Sequence, residues 1–237
     1  MSPARPHRWH IDEAEYARHE SRRGRRHAFD RIEPTRTALV VIDLVPFFVE
    51  ENDYCRGIVP NVQRLATALR DAGGTVAWVL PHGGLPATLA EELLGPEVAA
   101  RYAASGGAGP LRERLWHELD VRDEDLLVEK SAQSAFFPGR SPLPELLAER
   151  GIDTVVVTGT VTNVCCESSV RDASTLGYRV VMVADANAAP SDEVHNATLR
   201  TVYRSFGDVR TTDEVLALVA RGEADREAQR PGVAGDR

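Results

Sequence analysis

The chain predicts a three-layer α/β fold on a parallel sheet, and three observations predict it. Five clear β-branched or apolar runs and a shorter sixth recur along the 237 residues. The runs are apolar throughout instead of alternating, as strands covered on both faces must be. Amphipathic stretches separate them, and two of these stretches end at glycine directly ahead of the next run, which is the rhythm of βαβ units.

In order, residues 1–36 form a polar N-terminal arm with apolar Trp9, Ile11, Tyr16 and Phe29. Its cluster Arg22, Arg23, Arg25 and Arg26 lies among Glu20 and Asp30 and reads as salt-bridging. The first strand is Ala38-Leu39-Val40-Val41-Ile42, ending at Asp43. Residues 61–71 carry Val62, Leu65, Ala66 and Leu69 at helical spacing and stop at Gly73-Gly74. Thr75-Val76-Ala77-Trp78-Val79-Leu80 is the second strand. Residues 83–110 show no clear period; Ser105-Gly106-Gly107-Ala108-Gly109-Pro110 reads as a flexible loop and a candidate border of the active site. Leu126-Leu127-Val128 is the third strand and runs into Glu129-Lys130. A helix over 143–150 stops at Gly151. The fourth strand, Thr154-Val155-Val156-Val157, leads through Thr158-Gly159 to a helix over 162–176 that stops at Gly177. Arg179-Val180-Val181-Met182-Val183 and Val209-Arg210-Thr211 are the fifth and sixth strands. The core domain therefore spans 37–220, and 221–237 is expected to be a polar, flexible tail.

Bulk properties narrow the function. A net charge of −8 argues against nucleic-acid binding, and no apolar run reaches the roughly 18 residues of a membrane span. The polar N-terminus does not read as a secretory signal. Three cysteines without spaced pairs suit a reducing cytoplasm, and no CxxC or His-x-His pattern suggests structural zinc. The first strand lacks a following GxGxxG and the chain has no P-loop, which excludes dinucleotide binding and P-loop chemistry.

Of 28 basic residues only Lys130 is lysine. Where a background supplies arginine for positive charge, a retained lysine marks a place for a compact, tunable ammonium. In open parallel sheets ligands bind beyond the carboxyl ends of strands. There stand Asp43, Lys130 and, one turn past the fourth strand, Cys165: an acid/base group, a cation and a nucleophile. Singly, such an Asp is often a turn residue and such a Cys a core filler. Packing explains their joint occurrence with the single lysine far less easily. A helix N-terminus and a nearby ammonium would both favour thiolate at Cys165, whereas Cys166, about 100° around the helix, should face packing.

Three blocks carry a resemblance: Thr37-Ala38-Leu39-Val40-Val41-Ile42-Asp43, Lys130-Ser131-Ala132-Gln133-Ser134-Ala135-Phe136 and Thr158-Gly159-Thr160-Val161-Thr162-Asn163-Val164-Cys165. With Glu167, Arg171-Asp172-Ala173, Gly177-Tyr178 and Asp185, they resemble the isochorismatase-like cysteine hydrolases over about residues 36–218. The resemblance implies a Rossmann-like α/β/α fold with a six-stranded parallel sheet and a triad of Asp43, Lys130 and Cys165. It also implies a cis peptide at Thr160-Val161, with the backbone N–H groups of Val161 and Cys165 forming an oxyanion hole, and a homo-oligomer, dimer or tetramer. Cys165 points toward C–N hydrolysis of a small amide, carbamoyl or ureido substrate through a thioester. The alternatives are vinyl-ether hydrolysis, or a non-catalytic binding protein on the same fold.

Departures from relatives set further expectations. Nicotinamidases carry an Asp-x-His…His metal site where this chain has Val79-Leu80-Pro81-His82-Gly83-Gly84, so no catalytic metal and no other cofactor is expected. After Asp43, Val45-Pro46-Phe47-Phe48 replaces the polar residues common in relatives, which makes the pocket wall more apolar. Phe48, Trp78, His82, Phe136 and Phe137 are candidate substrate-binding residues, each with a packing or loop role as its alternative. His195, on a helix face, is expected to be structural. The arm is expected to lie over a neighbouring subunit, with a wrap around its own chain as the equal alternative.

Overall fold

The computed structural model describes residues 3–229. In chain order it contains α1 (Glu13–Arg23), a 3-10 turn (Pro34–Arg36), β1 (Thr37–Ile42), α2 (Pro46–Glu51), α3 (Asp53–Asp71), β2 (Thr75–Pro81), α4 (Ala87–Leu94), α5 (Pro96–Ala103), α6 (Leu111–Arg114) and β3 (Leu126–Lys130). There follow α7 (Leu143–Glu149), β4 (Thr154–Thr160), a π turn (Thr162–Cys166), α8 (Glu167–Thr175), β5 (Arg179–Ala188), α9 (Asp192–Ser205), β6 (Asp208–Arg210) and α10 (Thr212–Gln229). The six strands form one sheet in the order β3-β2-β1-β4-β5-β6, every pairing parallel.

The continuous apolar runs follow from two-sided burial. Along β1, Leu39 and Val41 enter one core with Val62, Leu65 and Leu69 of α3 and Leu218 of α10. Ala38, Val40 and Ile42 enter the opposite core with Leu147 of α7, Val170 of α8 and Leu199 of α9. Each fully buried side chain of Val or Leu size contributes about 1.5–3 kcal/mol, so both faces of β1 are apolar from Ala38 to Ile42.

Several boundaries differ from the sequence reading, those of α3 and α10 among them. α3 begins eight residues earlier, at Asp53, because the Asn52 side chain accepts the Tyr54 N–H at 2.9 Å and caps it. Pro60 lies inside that helix. The chain beyond 221 does not fray as expected: α10 continues to Gln229. Ala, Glu and Arg are good helix formers, and Gly222 presses on the neighbouring backbone, where a Cβ would sit 2.3 Å from the Ile32 carbonyl oxygen. Arg226 also donates to the Ala72 carbonyl at 3.0 Å. Residues 230–237 of the expected tail lie outside the described residues.

The arm docks on its own chain. The His7 ring stacks between Tyr54 and His195, with centroids 3.7 and 4.1 Å away. Ala189 N–H donates to His7 Nε2 at 3.0 Å, so the proton resides on Nδ1, which donates to Asp192 at 2.6 Å. Further along, buried Glu15 pairs with Arg200 at 3.1 Å and Arg204 at 3.5 Å, fixing α1 against α9.

Candidate active site

β1 lies between β2 and β4, and the register sets Ile42 beside both Val79 and Gly159. Just past Ile42 the backbone turns out of the sheet at Asp43, the one non-glycine residue with positive φ, +54°, among those described. Aspartate tolerates this left-handed conformation better than most residues, at a cost of order 1–2 kcal/mol. Gly159 allows the crossing from the other side: a Cβ there would stand 2.1 Å from the Ile42 carbonyl oxygen. The close approach draws the β4 end, with its cis Thr160–Val161 bond, over the end of β1. Where the sequence suggested one helix over 162–176, a π turn precedes α8, closed by Cys166 N–H donating to the Val161 carbonyl at 3.2 Å. Such turns recur at functional sites, and this one carries Cys165.

The three expected residues converge. Lys130, the last residue of β3, places Nζ 2.9 Å from Asp43 Oδ2, 3.5 Å from Cys165 Sγ and 3.2 Å from the Ala132 carbonyl oxygen. Those three contacts use the three ammonium protons. A guanidinium, with five donors in a fixed fork, would leave some of them unmatched in this space. Asp43 and Lys130 are buried, and Lys130 is the one cation paired with Asp43 among the described residues.

Burial pushes the Asp43 carboxyl upward, and Lys130 offsets only part of that. Burial opposes the Lys130 charge, but Asp43 and Cys165 outweigh it and raise its pKa. Burial, reinforced by the Asp43 charge, pushes the Cys165 thiol up to about 12 despite the ammonium. Burial and the Asp43 charge thus act against the thiolate that the helix N-terminus and the ammonium were expected to favour.

Positioning residues surround this trio, and sequence reading missed most of them. Buried Ser169 donates to the Cys165 carbonyl at 2.7 Å and accepts the Ala135 N–H at 2.9 Å, tying the π turn to the loop after Lys130. His195 holds the turn from below. Its Nε2 lies 3.0 Å from the Ala184 carbonyl and must donate, so Nδ1 accepts from Thr162 Oγ1 at 3.0 Å. Burial pushes this imidazole down to about 3, so it stays neutral and structural. Cys166 lies in the core below the sheet.

A cavity of about 500 Å³ opens above Asp43, Lys130 and Cys165. Val161 and Phe48 line it, as do Gln133, Ser105 and residues of α4 and α5. The other substrate-binding candidates stand elsewhere. Trp78 is fully buried, with Nε1 donating to Asp125 at 2.7 Å beneath the sheet edge. Phe136 is core, edge-on to Tyr178. Trp78 sits on β2, whose two faces are both covered, and Phe136 packs from the loop after Lys130 into the core on the α7 and α8 side. Exposed Phe137 and His82 lie outside the lining, His82 Nδ1 being 3.2 Å from Glu129. The unread stretch 83–110 forms the roof: α4 and α5 pack on each other and contribute Ala90, Glu91, Leu94 and Ala99 to the cavity. Among the described residues no group of three His, Cys, Asp or Glu side chains is arranged to hold a metal.

The model of the isochorismatase domain family matches residues 37–214. An uncharacterised isochorismatase family protein of Bacillus subtilis, YwoC, is 36% identical over 189 residues, covering 78% of this chain and 94% of the relative. The ureidoacrylate amidohydrolase RutB of Rhizobium rhizogenes is 30% identical over 217 residues, 80% of this chain and 86% of the relative. The crystal structure of a cysteine hydrolase from Pseudomonas syringae pv. phaseolicola superposes with a TM-score of 0.70 at 29% identity, covering 83% of this chain and 98% of that one. Sheet order, the domain match and these relatives agree: the chain belongs to the isochorismatase family.

Proposed function

We propose that the protein is a cysteine-dependent hydrolase that cleaves the C–N bond of a small amide, carbamoyl or ureido compound through a thioester. The observation that carries this reading is a buried carboxylate and ammonium and a half-buried thiol facing one cavity, with Lys130 2.9 Å from Asp43 and 3.5 Å from Cys165.

As sulfur bonds to the substrate carbonyl carbon, the thiol proton passes to Asp43, whose raised basicity suits the task. The carbonyl π pair moves onto oxygen, where the N–H groups of Val161 and Cys165 are assigned to receive it. Collapse re-forms the carbonyl and breaks the C–N bond, and nitrogen leaves with the proton held by Asp43. Water then gives a proton to Asp43 and attacks the thioester. The second collapse expels sulfur, which takes that proton back. Lys130 keeps Asp43 ionised in a buried site and offsets charge developing on sulfur. The ureidoacrylate amidohydrolase named among the relatives supports the ureido and amide classes for this chain.

The three cysteines carry free thiols, which supports a reducing cytoplasm as the working location. Leu89, Leu93, Leu94, Val98 and Tyr102 are exposed on α4 and α5 and support homo-oligomer formation through that face.

The test is ammonia release across a panel of small amides, ureides and carbamoyl acids, with intact-mass measurement of the protein. Turnover and an acyl adduct on Cys165 are expected, and Cys165→Ala should abolish both while leaving the melting temperature within a few degrees. Turnover that survives in Cys165→Ala would remove the thiol from the mechanism.

A further inference from the structure

Resting on the hydrolase reading above, we propose that the preferred substrates are uncharged amides with an apolar acyl group, and that ureido and carbamoyl acids bearing a free carboxylate are disfavoured. The chemistry sits at the floor of the cavity, so the rest of the walls must accept the remainder of the acyl chain. Those walls are built from Phe48, Leu85, Leu94 and a set of alanines on α4 and α5, among them Ala90 and Ala99. At each alanine the side chain stops at Cβ, and the missing atoms are the space available to substrate.

A carboxylate at the far end of a substrate needs a cation or several donors once it leaves water. The cavity offers no uncommitted cation, and its neutral side-chain donors, Tyr102, Ser105 and Gln133, carry no charge to balance an anion. The three Lys130 protons are committed to Asp43, Cys165 and Ala132, and Asp43 balances its charge. No arginine or histidine is among the lining residues. The remaining acidic side chain there is Glu91, exposed and paired with no cation among the described residues. An anionic tail would thus lose hydration and meet a like charge, whereas an alkyl tail gains by burial, about fourfold in kcat/KM per methylene. The neutral polar residues Gln133 and Ser105 remain to orient the amide.

Hexanamide and the monoamide of adipic acid form a matched pair: equal in carbon number, one ending in methyl and the other in carboxylate. Assayed with the full chain for ammonia release, hexanamide is expected to show a kcat/KM about a hundredfold higher. Glu91→Gln should narrow that ratio by about threefold, in keeping with a partly solvated charge; an unchanged ratio would remove Glu91 from the discrimination. Ala90→Leu should lower the kcat/KM of hexanamide about tenfold and move the preferred chain length down, and an unaltered chain-length profile would place the acyl group elsewhere. Equal rates for the pair, or preference for the adipic monoamide with an acyl adduct on Cys165, would overturn this inference and leave the hydrolase reading standing. No ammonia and no adduct from any amide would end the hydrolase reading itself.

Discussion

Replacing Lys130 with methionine keeps the length of the side chain and removes its charge. Asp43, buried with Lys130 as its one cationic partner among the described residues, then becomes an uncompensated buried carboxylate. Breaking a buried pair by removing one partner costs about 3–5 kcal/mol. The protein escapes that cost by keeping Asp43 protonated, so the penalty appears as pH dependence. The unfolded chain ionises this group near its ordinary value while the folded variant holds its proton, and the folded state therefore binds one more proton. Stability falls with rising pH at up to about 1.4 kcal/mol per unit. A penalty of 3–5 kcal/mol thus spreads over roughly two to four units above the point where the wild-type Asp43, already raised by burial, titrates. Denaturant unfolding of the variant and the wild type across pH 5–9 measures this directly, with midpoints converging at the acid end and separating as pH rises. Turnover should be lost at every pH, because the base is neutral where the fold is stable. A variant whose stability runs parallel to wild type throughout, or that retains substantial turnover, would refute the assignment of Lys130 as the group that keeps Asp43 charged.

In the wild type, the same raised carboxyl predicts that kcat/KM falls on the acid side as Asp43 takes up its proton, a limb that Cys165→Ser cannot restore. Trp78→Phe should leave kcat/KM unchanged and cost about 1–2 kcal/mol through loss of the bond to Asp125, whereas Phe48→Ala should raise KM. His7→Ala, which empties the slot between Tyr54 and His195, should cost about 1–3 kcal/mol by denaturant unfolding. Burial lowers the pKa of His7, so the stability it contributes is present above about pH 6.5 and is lost as pH falls through its folded value; the alanine variant should flatten that loss. Light scattering should find a homo-oligomer whose subunit number survives deletion of residues 1–30, because the arm is held by its own chain; a drop in mass would put the arm between subunits.

The sheet was legible because parallel strands buried on both faces are apolar at nearly every position, and runs such as residues 155–157 and 180–183 carry that signature. The triad was legible for a related reason: ligand chemistry collects at the carboxyl ends of strands, where Asp43, Lys130 and Cys165 stand out by residue type. The roof was not legible. α4 and α5 pack mainly on each other and leave Leu89 and Leu93 exposed, so their apolar positions do not trace one buried face. Nor could residue type separate Phe48, which lines the cavity, from Trp78 and Phe136, which are core; an aromatic ring satisfies either environment. The positioning role of Ser169 depends on a bond to a backbone N–H 34 positions away, a relation with no local signature. The helix over 221–229 was hidden by its polarity, since a helix held by the close approach of Gly222 and by polar contacts of Asp225 and Arg226 needs no apolar stripe there.

The separation of roof from floor has a consequence for how such a protein changes over time. Asp43, Lys130 and Cys165 hang from the ends of three strands whose cores fix them, while α4 and α5 pack mainly on each other and rest on α2 through Arg101 and Tyr102. Substitutions in that hairpin of helices can remodel what enters without disturbing the atoms that react, so one reactive floor can serve descendants with divergent diets.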